Sequence, residues 1–324
     1  MRYIVIGAGA VGGTIGARLF QGGHEVLLVA RGAHYEALKS DGLRLFTPGS
    51  AETLTIPVTD APVPPRDGDV LILATKSQDT IAALDPWPRH LPVVCAQNGV
   101  ENERVVLRRF ERVYGMCVWL PALHLEPGTV AAHGHPHSGM LHVGRYPQGV
   151  DDLAQQLAAD LAKSGFVALA TPDVMRWKYG KLLGNLANAV EALCEQAPGI
   201  DSLYERVRAE GAAVLEEAGI PYSTTSEERE LRGRQVDVLP IEGVERSGGS
   251  SWQSLARSSG SIEADYLNGE IVLLGREYGI ATPVNEVLQA EANRFAREQS
   301  PPGSMPLERL VTLIDERSRH TTPS

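Results

Sequence analysis

The sequence is short of the residues that mark several protein classes. Its three cysteines, Cys95, Cys117 and Cys194, are odd in number, scattered and free of any C-x-x-C pair. That argues against a disulfide framework and suits reduced, structural thiols in a cytoplasmic protein. No apolar run reaches the length of a membrane span. A first strand is expected from Arg2 onward, and on that reading no secretory leader is expected. Positive charge is scarce as well: 30 Lys and Arg face 40 Asp and Glu, a formal net charge of −10. A nucleic-acid partner, whose phosphates need clustered cations, is therefore disfavoured. A small anionic ligand is not, because it needs only a local positive site.

What is present begins with Arg2-Tyr3-Ile4-Val5-Ile6, a β-branched run that leads into Gly7-Ala8-Gly9-Ala10-Val11-Gly12. The spacing predicts a strand, a glycine turn and a helix reaching Gly22, with a second strand over 25–30. In that context G-x-G-x-x-G points to dinucleotide binding. Gly7 allows the turn, Gly9 lets a pyrophosphate approach the backbone, and Gly12 lets the helix lie on the strand. The helix start offers its N–H groups and positive dipole end to the phosphates. A further absence follows. No Asp or Glu stands at Val29 to Gly32, where an acid would hold a ribose 2′-hydroxyl, but Arg31 does. An arginine there suits a 2′-phosphate, so the cofactor is read as NADP(H). The plainer reading of Arg31 is a surface residue at a strand end.

At 324 residues the chain exceeds the usual single core. Composition is that of an ordinary globular protein, 43% hydrophobic and 22% charged. Strands are expected at Thr53 to Val58, Asp69 to Ala74, Pro92 to Ala96 and Arg112 to Val118. The second ends at Thr75-Lys76 and the third at Gln97-Asn98-Gly99, both at the carboxyl edge where ligands gather in a doubly wound sheet. Asn98 also reads as a simple turn residue. His133-Gly134-His135-Pro136-His137 invites a metal reading, but Pro136 interrupts it and no carboxylate or thiol completes a ligand set; a polar hairpin is expected instead. An amphipathic helix over Asp151 to Lys163 and a strand over 166–170 close the α/β half. The expected domains are therefore 1–170, a Rossmann-type unit, and 171–324, helical throughout.

In the helical half, Val174 to Leu193 reads as one helix. Trp177, Lys181, Asn185 and Asn188 lie on one face at steps of four, four and three. Two readings stay open: a snorkelling lysine beside two surface amides, or the wall of a cleft in which burial tunes Lys181 for acid–base work. Farther on stand Ser250-Ser251-Trp252 and Glu263 to Gly269. Ser261 is a candidate cap, which would explain Glu263 as a first-turn acid.

Taken together, the glycine turn with Arg31, Thr75-Lys76, Gln97-Asn98-Gly99, Trp177 to Asn188, Ser250-Ser251 and Glu263 to Gly269 resemble the ketopantoate reductases. The resemblance implies a Rossmann domain followed by an all-α domain of the 6-phosphogluconate dehydrogenase C-terminal type, with the active site in the cleft between them. It implies NADPH-dependent reduction of a small 2-oxo acid. Lys181 would be the proton donor, and Glu263 would orient the lysine, the substrate hydroxyl and the nicotinamide. Asn98 would lie between cofactor and substrate. Gly7, Ala8, Gly9, Ala10, Val11, Gly12, Arg31, Lys76 and Ala122 would contact the cofactor. Asn185, Asn188 and Ser250 or Ser251 would bind the substrate. Departures fall on the substrate side. Asn188 comes one residue early and is followed by Ala189, Glu191 replaces a common threonine, and Ser247-Gly248-Gly249 replaces an asparagine before the serine pair. A different 2-oxo acid, or a non-catalytic NADP-binding sensor, stays in view. An apolar helix face that packs within the chain or across a homodimer leaves the oligomeric state open.

Overall fold

The computed structural model describes residues 1–245, 248–258 and 260–321. The chain forms two compact units. The first comprises Met1–Asn98, Asn102–Lys178 and Thr224–Arg246; the second comprises Gly99–Glu101, Tyr179–Ser223 and Ser247–Ser324.

The first unit is built on an eight-stranded sheet. Its order is Val167–Ala170, Met140–Arg145, Val113–Trp119, Val93–Cys95, Asp69–Leu73, Arg2–Ile6, Glu25–Val29 and Val58–Thr59. All neighbours are parallel except Met140–Arg145 against Val113–Trp119. The continuous apolar runs become buried central strands, since both faces of a parallel sheet are covered. On one face Tyr3, Val5, Ile15, Leu28 and Ile72 pack with Leu157 and Leu161; on the other, Ile4, Leu71 and Val93 pack with Trp87 and Phe110.

The expected strand at Thr53 to Val58 is two strands. Ser50–Leu54 belongs to a separate four-stranded sheet, and Val58–Thr59 is the edge of the main one. Pro57 lies between them; it has no N–H for a ladder, and its carbonyl instead accepts from Leu28 N.

The histidine cluster is also not a local hairpin. Gly134–Pro136 pairs antiparallel with Val236–Val238, a strand inside the stretch expected to be helical. His133 Nδ1 meets the Leu239 carbonyl and His137 Nδ1 the Gln235 carbonyl, each at 3.0 Å. These long-range bonds draw Thr224–Arg246 into the first unit. Arg232 adds its guanidinium, 4.2 Å over the Trp119 ring. Among the described residues no group of His, Cys, Asp or Glu is arranged to hold a metal ion.

One core histidine carries a pH prediction. Both ring nitrogens of His142 are buried without a hydrogen-bond partner, and its ring stands edge-on to Trp177 at 5.0 Å. Burial pushes its pKa down from 6.5 to about 4. The unfolded chain therefore takes up a proton that the folded chain refuses between those values. Stability should fall as pH drops from 6.5 towards 4, by roughly 3 kcal/mol from this group. His142→Phe should flatten that part of a stability profile followed by urea unfolding. An unchanged slope would contradict the assignment.

The second unit is helical: Asn188–Leu193, Ile200–Glu217, Ser250–Ala256, Asn268–Tyr278, Pro283–Glu298 and Leu307–Thr321. The helix Val174–Asn185 begins in the first unit and ends in the second. Among the described residues, no helix is long and apolar enough to cross a membrane.

Candidate active site

The glycine turn has the geometry its spacing implies. Gly7 sits at φ +93°, and a Cβ there would lie 3.0 Å from the Ala74 backbone. A Cβ on Gly12 would stand 2.0 Å from the Gly7 carbonyl oxygen and 2.9 Å from Ala74 Cβ, so helix and strand are in backbone contact at that point. Gly9 is different. Nothing lies within 4 Å of its Cβ position, and it is the N-cap of Ala10–Gln21 without any side-chain cap. An open backbone face at the start of a twelve-residue helix fits a pyrophosphate. Against Gly7 lies Thr75, whose buried hydroxyl has no partner within the protein. Gly9→Ala should therefore leave the thermal unfolding midpoint unchanged. It should raise the NADPH Kd by at least about tenfold, the cost of displacing one good contact. A fluorescence titration showing wild-type affinity would refute the placement.

The turn has a support that the sequence analysis missed. His34 Nδ1 accepts from Gly128 N at 2.9 Å, which leaves the proton on Nε2 to be donated to the Ala8 carbonyl at 2.8 Å. Burial lowers the His34 pKa, in keeping with a neutral ring. Arg31 is exposed and precedes the helix Gly32–Asp41; Lys76 is half-buried and precedes the turn Ser77–Asp79. Asn98 is half-buried, and its carbonyl accepts from Asn102 Nδ2 at 3.1 Å. Ala122 opens a strand of the four-stranded sheet, which packs on the helix Ala10–Gln21.

In the second unit the long helix expected over 174–193 is broken. Val174–Asn185 ends, and Asn188–Leu193 starts anew after Leu186 and Ala187. The cause is a side chain. Asn268 Nδ2 donates to the Leu186 carbonyl at 3.1 Å and to Asn285 Oδ1 at 2.9 Å, taking a carbonyl that the helix would otherwise use. Glu210 holds the other end, accepting from Val284 N, Asn285 N and Asn285 Nδ2, while burial raises its pKa. Lys181 and Asn185 therefore lie on one uninterrupted helix, one turn apart, and Asn188 opens the next. Lys181 and Asn185 are both half-buried. The Asn185 amide nitrogen is buried and lacks a hydrogen-bond partner within the protein.

Asn188 instead meets the serine pair: its Nδ2 lies 3.4 Å from Ser250 Oγ. Ser250 is exposed and Ser251 is buried. A Cβ on Gly249 would lie 2.9 Å from Glu191 Oε2 and 3.3 Å from Asn188 Oδ1, so only glycine fits without displacement. Ser247, part of the stretch that replaces the family's asparagine, lies outside the described residues. Glu263 is half-buried and opens a 3₁₀ turn, Glu263–Tyr266, whose N-cap position is Ile262; the helix begins only at Asn268. Asn268, five residues after Glu263, is the residue that also ties the end of the Lys181 helix.

The sequence profile described as "Ketopantoate reductase PanE/ApbA" matches residues 3–148, and "Ketopantoate reductase PanE/ApbA C terminal" matches residues 173–295. A 2-dehydropantoate 2-reductase of Archaeoglobus fulgidus is 32% identical over 302 residues, covering 89% of this chain and 95% of its own. One from Pyrococcus horikoshii is 27% identical over 306 residues, covering 90% and 96%. A crystal structure of a PanE/ApbA family ketopantoate reductase from Ralstonia eutropha superposes with a TM-score of 0.77 at 29% identity, covering 92% and 99%. A D-mandelate dehydrogenase in complex with NADH and anilino(oxo)acetate shares the fold, with a TM-score of 0.77 at 23% identity and coverage of 93% and 100%.

Proposed function

Because the chain belongs to the ketopantoate reductase (PanE/ApbA) family, we propose that it reduces 2-dehydropantoate to pantoate, working as a cytoplasmic NADP-dependent oxidoreductase. Supporting this reading are relatives of that name spanning most of the chain. The observation that carries it is one face of Val174–Asn185, a half-buried lysine one turn from an amide with no partner of its own.

NADPH, when bound, supplies the hydride. Residues Gly7 to Gly12 hold its pyrophosphate through open backbone. Arg31 and Lys76 neutralise its 2′-phosphate, and Ala122 adds a contact. Lys181 gives a proton to the 2-oxo oxygen as charge develops there, so that no alkoxide has to form. Glu263 orients that ammonium and accepts from the substrate hydroxyl. Asn98 and Asn185 donate to the substrate and fix the carbonyl. Ser250 receives the carboxylate. Its hydroxyl oxygen already accepts from Asn188, which leaves its own proton to donate outward.

Asn188 and Glu191 favour a second reading on the same chemistry, a 2-oxo acid other than ketopantoate. Asn188 belongs to a separate helix and bonds Ser250, and a carboxylate stands beside Gly249. A panel of 2-oxo acids with NADPH or NADH, read by absorbance at the nicotinamide band, tests both. Ketopantoate should give the highest kcat/KM, with NADPH preferred. Parity of the two cofactors would refute the Arg31 role. Tight NADPH binding without turnover of any acid would return the chain to the sensor reading.

A further inference from the structure

Beneath Asn98, inside the first unit, lies a buried polar network to which the reaction above assigns no role. Ser77, Thr80, Gln97, Asn102, Glu103 and Lys178 are each no more than 5% exposed. Asn102 Nδ2 donates to Ser77 Oγ and to the Asn98 carbonyl, both at 3.1 Å. Thr80 Oγ1 donates to Asn102 Oδ1 at 2.9 Å and accepts from Gln97 Nε2 at 2.8 Å. Lys178 Nζ donates to the Gln97 carbonyl at 3.1 Å and is ion-paired with Glu103.

The sheet is shaped to admit that pair. Gly115 and Gly144 are cross-strand neighbours. A Cβ on Gly115 would lie 3.0 Å from Val174 Cγ1, 3.4 Å from Glu103 Oε1 and 3.6 Å from Lys178 Cδ; one on Gly144 would lie 2.1 Å from the Thr171 carbonyl oxygen. Two glycines thus open a slot for the start of the helix Val174–Asn185 and for its buried charge.

A fully buried ion pair is a poor way to gain stability, because apolar residues of the same volume usually serve as well or better. Its location suggests what it gives instead. Three of the network's members stand next to residues assigned to the reaction. Ser77 follows Lys76, Gln97 precedes Asn98, and Lys178 stands one turn before Lys181 on the same helix. We propose that Lys178 and Glu103 are positioning residues for the reduction. Together they fix the backbone that presents Asn98 and the root of the helix that presents Lys181. The proposal rests on the functional reading above.

The test is the double variant K178M/E103M, which removes both charges and keeps the volume. It should unfold at the wild-type temperature or above and bind NADPH within about twofold of wild type. Its kcat for the 2-oxo acid should fall at least about tenfold, as misplacement of reacting groups does. With NADPH deuterated at the transferred position, the isotope effect on kcat should rise, because hydride transfer becomes limiting. A purely structural role would lower the active fraction and leave the isotope effect alone. If the double variant does not fold, E103Q, which keeps the side-chain shape, should show the same split at smaller amplitude. A folded variant with wild-type kcat and isotope effect overturns this proposal alone. A wild-type protein that reduces no 2-oxo acid overturns the functional reading and this proposal together.

Discussion

Lys181→Ala should lower kcat by about two to four orders of magnitude, the range a positioned general acid contributes. That is roughly 3–5 kcal/mol of transition-state stabilisation. The side chain is half-buried on a helix, and alanine is the best helix former, so the fold should survive. The NADPH Kd should stay within about twofold, since the residues proposed to hold the cofactor's phosphates lie in the other unit. Lys181→Arg should not restore the rate. A guanidinium keeps its proton at any working pH and is a poor acid. Stopped-flow measurement of NADPH oxidation at saturating substrate separates these expectations. A loss of less than about tenfold would remove Lys181 from the role of proton donor.

The second large effect is on stability. Lys178→Met alone should cost about 3–5 kcal/mol, because it leaves Glu103 buried with its counter-charge gone. Urea unfolding should show a lower midpoint, and addition of E103M should recover it. The pairing of a severe single variant with a benign double one is what distinguishes a buried ion pair from ordinary core packing. If the single variant unfolds like wild type, the two side chains are not an ion pair in solution, and the positioning argument loses its basis.

Much of the first unit was legible because its signals are local. The run Arg2–Ile6, the glycine spacing and the apolar strand Asp69–Leu73 each encode their structure within a few residues. At the glycine turn the positive φ of Gly7 and the tight packing at Gly12 were legible, because backbone geometry at a turn is set by the turn itself. What escaped was long-range. The helix break at Leu186 depends on Asn268, 82 residues away. The strand Val236–Val238 forms because Gly134–Pro136 gives it an edge, and a three-residue strand has no periodicity to detect. His34 looked like an ordinary helix residue until its two ring nitrogens were seen to join Ala8 and Gly128.

The polar stripe shows the limit most clearly. Spacing alone puts Trp177, Lys181, Asn185 and Asn188 on one face of one helix, and the structure divides them between two. Lys178 carries the stronger structural signal, yet in sequence it is one more charge between an aromatic residue and Tyr179. Glu103 is equally plain within Asn102–Leu107. A pair 75 residues apart is recognised only once both side chains are seen at the same buried point.

The most direct test of the account is product stoichiometry. Purified protein with NADPH and ketopantoate should form one pantoate for each NADPH consumed, and Lys181→Ala should slow both in step. Steady NADPH consumption without pantoate, or pantoate formation at the wild-type rate by the alanine variant, would contradict it.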